Sequence, residues 1–304
     1  MAAAAVVPTA KLLAGMDETK TWAGSFSVTL PPQGGIEHGN GLLGGYASDK
    51  HWKVKLAFDD NGDPKALRLL LPSPLPKKNE TFDPIMPLIP QWYIYRFKYL
   101  DLDQEIRDKV PFRYVEVDWN TEGLPRGPGG SFITPHFDFH FYTKSRDYVT
   151  GKIGCESAGK TCDFTNSKTD SVVRFFDMPS ACFLPRGYFP DVDSSIPEMG
   201  LHMLDSQFSF RVDNVNHGPV IIYGTFDDQI VFLEVSLTLY AFEDAVEAAK
   251  EGGRLSWPIR QPEKYQYEWW PNTVTLEYQP EENMFAFSYE DFEENSPSKS
   301  CDPS

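Results

Sequence analysis

From Pro135 to Tyr142 the chain reads Pro-His-Phe-Asp-Phe-His-Phe-Tyr, with apolar and polar side chains alternating without a break. Side chains on a strand point alternately to its two faces. The pattern therefore predicts a strand with Phe137, Phe139 and Phe141 on one face and His136, Asp138, His140 and Tyr142 on the other. A helix would bring the i, i+4 pair His136 and His140 together, but Pro135 and the strict alternation favour the strand.

Similar patterns recur on both sides of this stretch. Ser25 to Leu30 alternates as a strand does, Tyr93 to Tyr99 is a further apolar or alternating segment, and Phe112 to Trp119, where Tyr114, Glu116 and Asp118 share a face, reads as a strand. Trp52 to Phe58 and Ala66 to Leu71 flank a turn containing Asn61-Gly62 and predict a hairpin. Val220 to Phe226 and Ile230 to Leu239 flank Asp227-Asp228-Gln229 and predict a second, and Thr273 to Tyr278 with Met284 to Tyr289 a third. Val172 to Phe176 reads as a further short strand. Ala241 to Glu251 is the one convincing helix, stopped by Gly252-Gly253. Residues 72–90, rich in proline, predict an extended connection, and the polar stretch from Thr143 to Asp170 a long surface excursion.

These elements predict a mainly β fold: a single antiparallel β-barrel or sandwich, cupin- or lipocalin-like in outline, with one late helix and long loops. Residues 1–21 read as a weakly ordered lead-in, 22–292 as one domain and 293–304 as a disordered acidic and polar tail. Composition agrees. Of 304 residues, 41% are hydrophobic and 14% aromatic, enough for a sizeable core, while 25 prolines and 22 glycines suit strands joined by many turns.

A formal net charge of −16 with no basic stripe argues against nucleic acid and anionic membrane surfaces as partners. No apolar run is long enough for a transmembrane helix, and the apolar N-terminus lacks a basic segment and is broken by Pro8. The reading is a soluble protein of unassigned compartment. Cys155 and Cys162 bracket a short loop that a disulfide closes in an oxidising compartment; in a reducing one they stay thiols. No Gly-x-Ser-x-Gly elbow, phosphate-binding loop or CxxC spacing is present.

Chemistry concentrates elsewhere. Of six histidines, His136, His140 and His202 fall in the patterned segments, near Asp138, Glu198 and Glu234. Glu234 lies in a strand that is apolar on both faces, which predicts a buried carboxylate in need of a cation, a hydrogen-bond donor or a proton. Imidazole and carboxylate together suit a divalent transition metal such as zinc, iron or manganese. Residues four apart on a strand are about 13 Å apart, so His136 and His140 share an ion only if the strand bends. The candidate metal ligands are His136, His140, His202 and Glu234. Asp138 is the candidate orienting or ligating carboxylate, and Tyr142 and Glu198 are candidates for handling protons. The functional expectation is a metal-dependent enzyme acting on a small molecule. The alternatives are a metal-free acid–base site, or a non-catalytic ligand-binding or homo-oligomeric assembly protein whose histidines and carboxylates satisfy one another.

Val117-Asp-Trp-Asn-Thr-Glu-Gly123, Pro135 to Tyr142, Met199-Gly-Leu-His202, Tyr223-Gly-Thr-Phe226 with Phe232-Leu-Glu234, and Gln261-Pro262 leading to Trp270-Pro271 occur in this order. As a set they resemble an uncharacterised, largely bacterial β-rich family of unknown function whose hallmark is the His-Phe-Asp-Phe-His strand. The resemblance spans roughly residues 38 to 290. It implies a single β-rich domain and carries no established activity. Family members often have His after the Trp-Asn-x-x-Gly turn, where this chain has Leu124.

Overall fold

The computed structural model describes residues 22–26, 52–73, 94–120, 136–153, 174, 176–196, 198–206 and 218–295. Their strands form two antiparallel sheets. The first runs, in spatial order, β1 (Trp22–Phe26), β2 (Lys53–Phe58), β3 (Pro64–Pro72), β13 (Met284–Glu294), β12 (Trp269–Gln279) and β11 (Leu255–Pro258). The second runs β4 (Ile94–Asp101), β5 (Tyr114–Asn120), β6 (His136–Tyr142), β10 (Gln229–Thr238), β9 (Val220–Phe226), β8 (Gly200–Asp205) and β7 (Tyr188–Ile196). Among the described residues no strand of one sheet pairs with a strand of the other, so of the two predicted architectures the chain adopts the sandwich.

The phenylalanine face of β6 joins the sheets. Phe139 stacks on Phe287 of β13 with centroids 4.8 Å apart, and Phe141 meets Tyr289 edge-on at 4.6 Å. Phe112 stacks on Tyr289 from the segment leading into β5. Interleaved aromatic rings of this kind supply much of the apolar area that holds a sandwich together.

The helix Leu239–Lys250 follows β10 directly and closes one end of this core. Its buried residues, Ala241, Phe242, Ala245 and Ala248, recur at helical spacing. Phe242 packs on Phe137 of the second sheet and on Phe285 of the first. The helix ends as its sequence predicts: Gly252 takes φ +69°, and the Gly253 amide donates to the Ala248 carbonyl.

The predicted hairpins form, two of them with longer strands than the alternation suggested, and β13 continues to Glu294, into the segment read as a tail. One expectation is corrected: Arg174 and Phe176, read as part of a strand, are helical. The excursion after β6 begins with a short helix at Arg146–Tyr148 and a wide turn at Val149–Ile153. Val149 and Ile153 pack with Tyr114, Tyr142, Met199 and Phe232 in a second apolar cluster, on the far side of the second sheet from the sandwich core. Most of the proline-rich connection and both Cys155 and Cys162 lie outside the described residues. Cys182 is disulfide-bonded.

Phe139 is fully buried between the sheets. Phe139→Ala is expected to cost about 3–5 kcal/mol, because the facing strands cannot collapse into the space left behind. Chemical denaturation monitored by near-UV circular dichroism measures the loss; a cost below about 1 kcal/mol would mean that the sheets are not joined here.

Candidate metal centre

Because every residue of β6 is buried, its polar face points into the molecule rather than into water. The ladders fix what surrounds it. His140 sits directly between Glu116 of β5 and Glu234 of β10; Asp138 sits between Asp118 and Ser236; and His136 sits between Asn120 and Thr238. All of these side chains are buried.

His202 arrives from farther away. It lies on β8, opposite Gly224 of β9, and Gly224 in turn lies opposite Phe232 of β10. The absent side chain at Gly224 is what makes room, because a Cβ there would lie 2.1 Å from the Phe232 ring. Phe232 settles over the glycine, and His140, Tyr142 and His202 each contact its ring. The His202 ring thereby reaches the carboxylate of Glu234.

His140, His202 and Glu234 form a compact group, each offering one ligand atom within 4.8 Å of the others. Glu234 Oε2 lies 3.2 Å from His140 Nε2 and 3.6 Å from His202 Nε2. With metal–ligand bonds of about 2.1 Å, neighbouring ligand atoms stand about 3.0 Å apart in an octahedron and about 3.4 Å apart in a tetrahedron. The His140 edge falls between these lengths and the His202 edge is slightly longer. Both His140 nitrogens and Glu234 Oε2 are buried, yet none makes a hydrogen bond of acceptable geometry. This buried triad can hold a metal ion.

Around the triad a second set of polar groups fixes orientation. Asp118 Oδ2 lies 3.4 Å from His140 Nδ1, on the far side of the ring from Glu234, which leaves Nε2 directed at the triad. The Ser236 hydroxyl lies 2.6 Å from Asp138 Oδ1 and 3.1 Å from Glu234 Oε1. Asn120 Nδ2 donates to Asp138 Oδ2 and lies 3.2 Å from His136 Nε2. His136 therefore belongs to a neighbouring Asn120–Asp138–Ser236 network, its Nε2 3.4 Å from Asp138 Oδ1, and the triad comes together without it.

The remaining candidates occupy other places. Tyr142 donates its hydroxyl proton to the Glu198 carbonyl, and the Glu198 amide donates to Ile153, so Tyr142 ties down the cover of the site. Glu198 itself is a turn residue at φ +69°, immediately before β8, and stands apart from the triad. Asp191 of β7 lies opposite His202 across the ladder.

Electrostatics follow from burial. Burial and the nearby Glu234 charge push Asp138 up to about 8. Burial also works against a charged Glu234, but His140 and His202 outweigh it and hold the carboxyl down to about 2. His140 is likewise opposed by burial, yet Glu234 and Asp118 hold it well above its ordinary value. The carboxylates that favour a proton on His140 would also favour a divalent cation held at the triad.

Sequence reasoning named the three triad residues but gave no role to Asp118, Ser236 or Gly224. The face shared by Glu116 and Asp118 was a signal for the first, and the Tyr-Gly-Thr-Phe segment before a strand a signal for the last.

Gly224→Ala is expected to push the Phe232 ring off β9 and part His202 from Glu234. Local disorder at His202, read from its imidazole resonances against a cooperative unfolding transition that persists, is the expected outcome. A variant with unchanged imidazole shifts would show that the glycine does not set the triad.

Comparison with known proteins finds no matching family model, no similar curated protein and no similar solved structure.

Proposed function

We propose that this protein is a metal-dependent enzyme acting on a small organic molecule, with His140, His202 and Glu234 holding the ion. The observation that carries the reading is the convergence of three buried residues whose ligand atoms lie within 4.8 Å of one another, with Glu234 Oε2 3.2 Å from His140 Nε2 and 3.6 Å from His202 Nε2. Three protein ligands leave coordination positions for water or substrate, which separates catalytic from closed structural sites. Two histidines and one carboxylate suit zinc, iron and manganese alike. When bound, such an ion supplies an activated water or a Lewis acid.

The chain's own residues do the rest. Asp118 orients His140, the rings of Phe232 and Tyr142 wall the site, and the cover carrying Val149 and Ile153 keeps bulk water from the buried face. Asp138, raised toward neutrality beside the Glu234 carboxylate, is the group placed to carry a proton.

Protein purified without chelator is expected to contain one transition-metal ion per chain by elemental analysis. Removing a ligand in His202→Ala should weaken binding by more than the ~10–100-fold typical of an orienting partner. Sub-stoichiometric metal, unchanged in His140→Ala and His202→Ala, would sink the reading.

Binding must also discharge the proton on His140. Its value is raised in the metal-free fold, so affinity should climb with pH until that value is passed, and binding at neutral pH should release protons. Calorimetry in buffers of differing ionisation enthalpy measures the release; a heat independent of buffer would contradict it.

A further inference from the structure

Glu234 uses its two oxygens differently. Oε2 faces His140 and His202, whereas Oε1 lies 3.1 Å from the Ser236 hydroxyl. Ser236 is two residues along β10 from Glu234 and so on the same face, and it sits opposite Asp138 in the β6 ladder, with its hydroxyl 2.6 Å from Asp138 Oδ1. Asp138 is in turn held by the amide of Asn120, which the β5 ladder places beside His136. A chain of buried polar groups, Asn120–Asp138–Ser236, therefore ends on the one triad oxygen that does not face the histidines.

We propose that Ser236, braced by Asp138, is a positioning residue that occupies Glu234 Oε1 and restricts Glu234 to a one-oxygen ligand, keeping a coordination position open for substrate. This rests on the reading of His140, His202 and Glu234 as a metal centre. A carboxylate with both oxygens unengaged readily chelates an ion through the pair; the Ser236 hydroxyl opposes that when it gives its single proton to Oε1, its shorter contact with Asp138 Oδ1 then being one in which it accepts. The arrangement also accounts for a polar residue on β10 between Glu234 and Thr238, in a strand whose other neighbours are apolar. The second half of the polar face, which includes His136, acts in this view as a brace for the first half rather than as a second set of ligands.

The test uses the intact chain and cobalt(II), whose visible absorption reports coordination number. Wild-type protein should bind one cobalt ion with the intense spectrum of a four- or five-coordinate site. Ser236→Ala should shift the spectrum toward the weaker absorption of a higher coordination number as Oε1 joins the metal, and change the affinity as that bond is added. Ser236→Thr, which keeps the hydroxyl, should restore both; Ser236→Val, of the same shape without it, should not. The Thr and Val pair carries the comparison if Ser236→Ala fails to fold. If the wild type binds cobalt and the Ala or Val variant matches it in affinity and spectrum, the positioning role is overturned while the metal centre stands. Failure of the Thr variant to restore the spectrum overturns it as well, by assigning the effect to packing. If the wild type binds no cobalt, the centre falls and this role falls with it.

Discussion

A strand buried on both faces has no water to turn to, and β6 carries His136, Asp138 and His140 on a face that the chain itself covers. Leaving such groups without partners costs several kcal/mol per ion even after relaxation, so each must find compensation inside the protein. That requirement shapes the surroundings. It accounts for Asp118 beside His140, Ser236 between two carboxylates and Asn120 beside Asp138. The aromatic face of the same strand permits the arrangement, because Phe137, Phe139 and Phe141 anchor β6 to the opposite sheet and the helix strongly enough to hold a polar row in the interior.

What one chain segment reveals about itself was legible. The alternation in Pro135 to Tyr142 has only one reading as a strand, and it assigned the Phe and His faces correctly. Glu234 was recognisable as buried because its neighbours on both faces are apolar, and the structure leaves it 3% exposed. The helix was placed to within two residues at either end, its C-terminus by Gly252-Gly253. Each of these signals lies within a dozen residues, where periodicity and turn chemistry operate.

What depends on pairing was not legible. Nothing in the sequence states that β10 lies beside β6, or that His202 reaches Glu234 over Gly224 from two strands away; ladders between distant segments are set by the whole sheet. Glu198 stands four residues before His202, but the chain turns at Glu198 with positive φ and enters β8 at Gly200, and Glu198 is not among the residues that gather at the triad. The rule that residues four apart on a strand stand too far apart to chelate together did separate His136 from His140, and the ladders show what takes up His136 instead.

Gly224 also bears on when the site comes into being. His140, His202 and Glu234 sit on three strands with no two of them adjacent in sequence, and the bridge over the glycine requires β8, β9 and β10 to be zipped together first. An unfolded chain offers no preassembled pair of these ligands, so an ion has little hold on it. Loop-closure entropy is met by the sheet alone, so an ion held at the triad would act on the native state and do little for the unfolded chain.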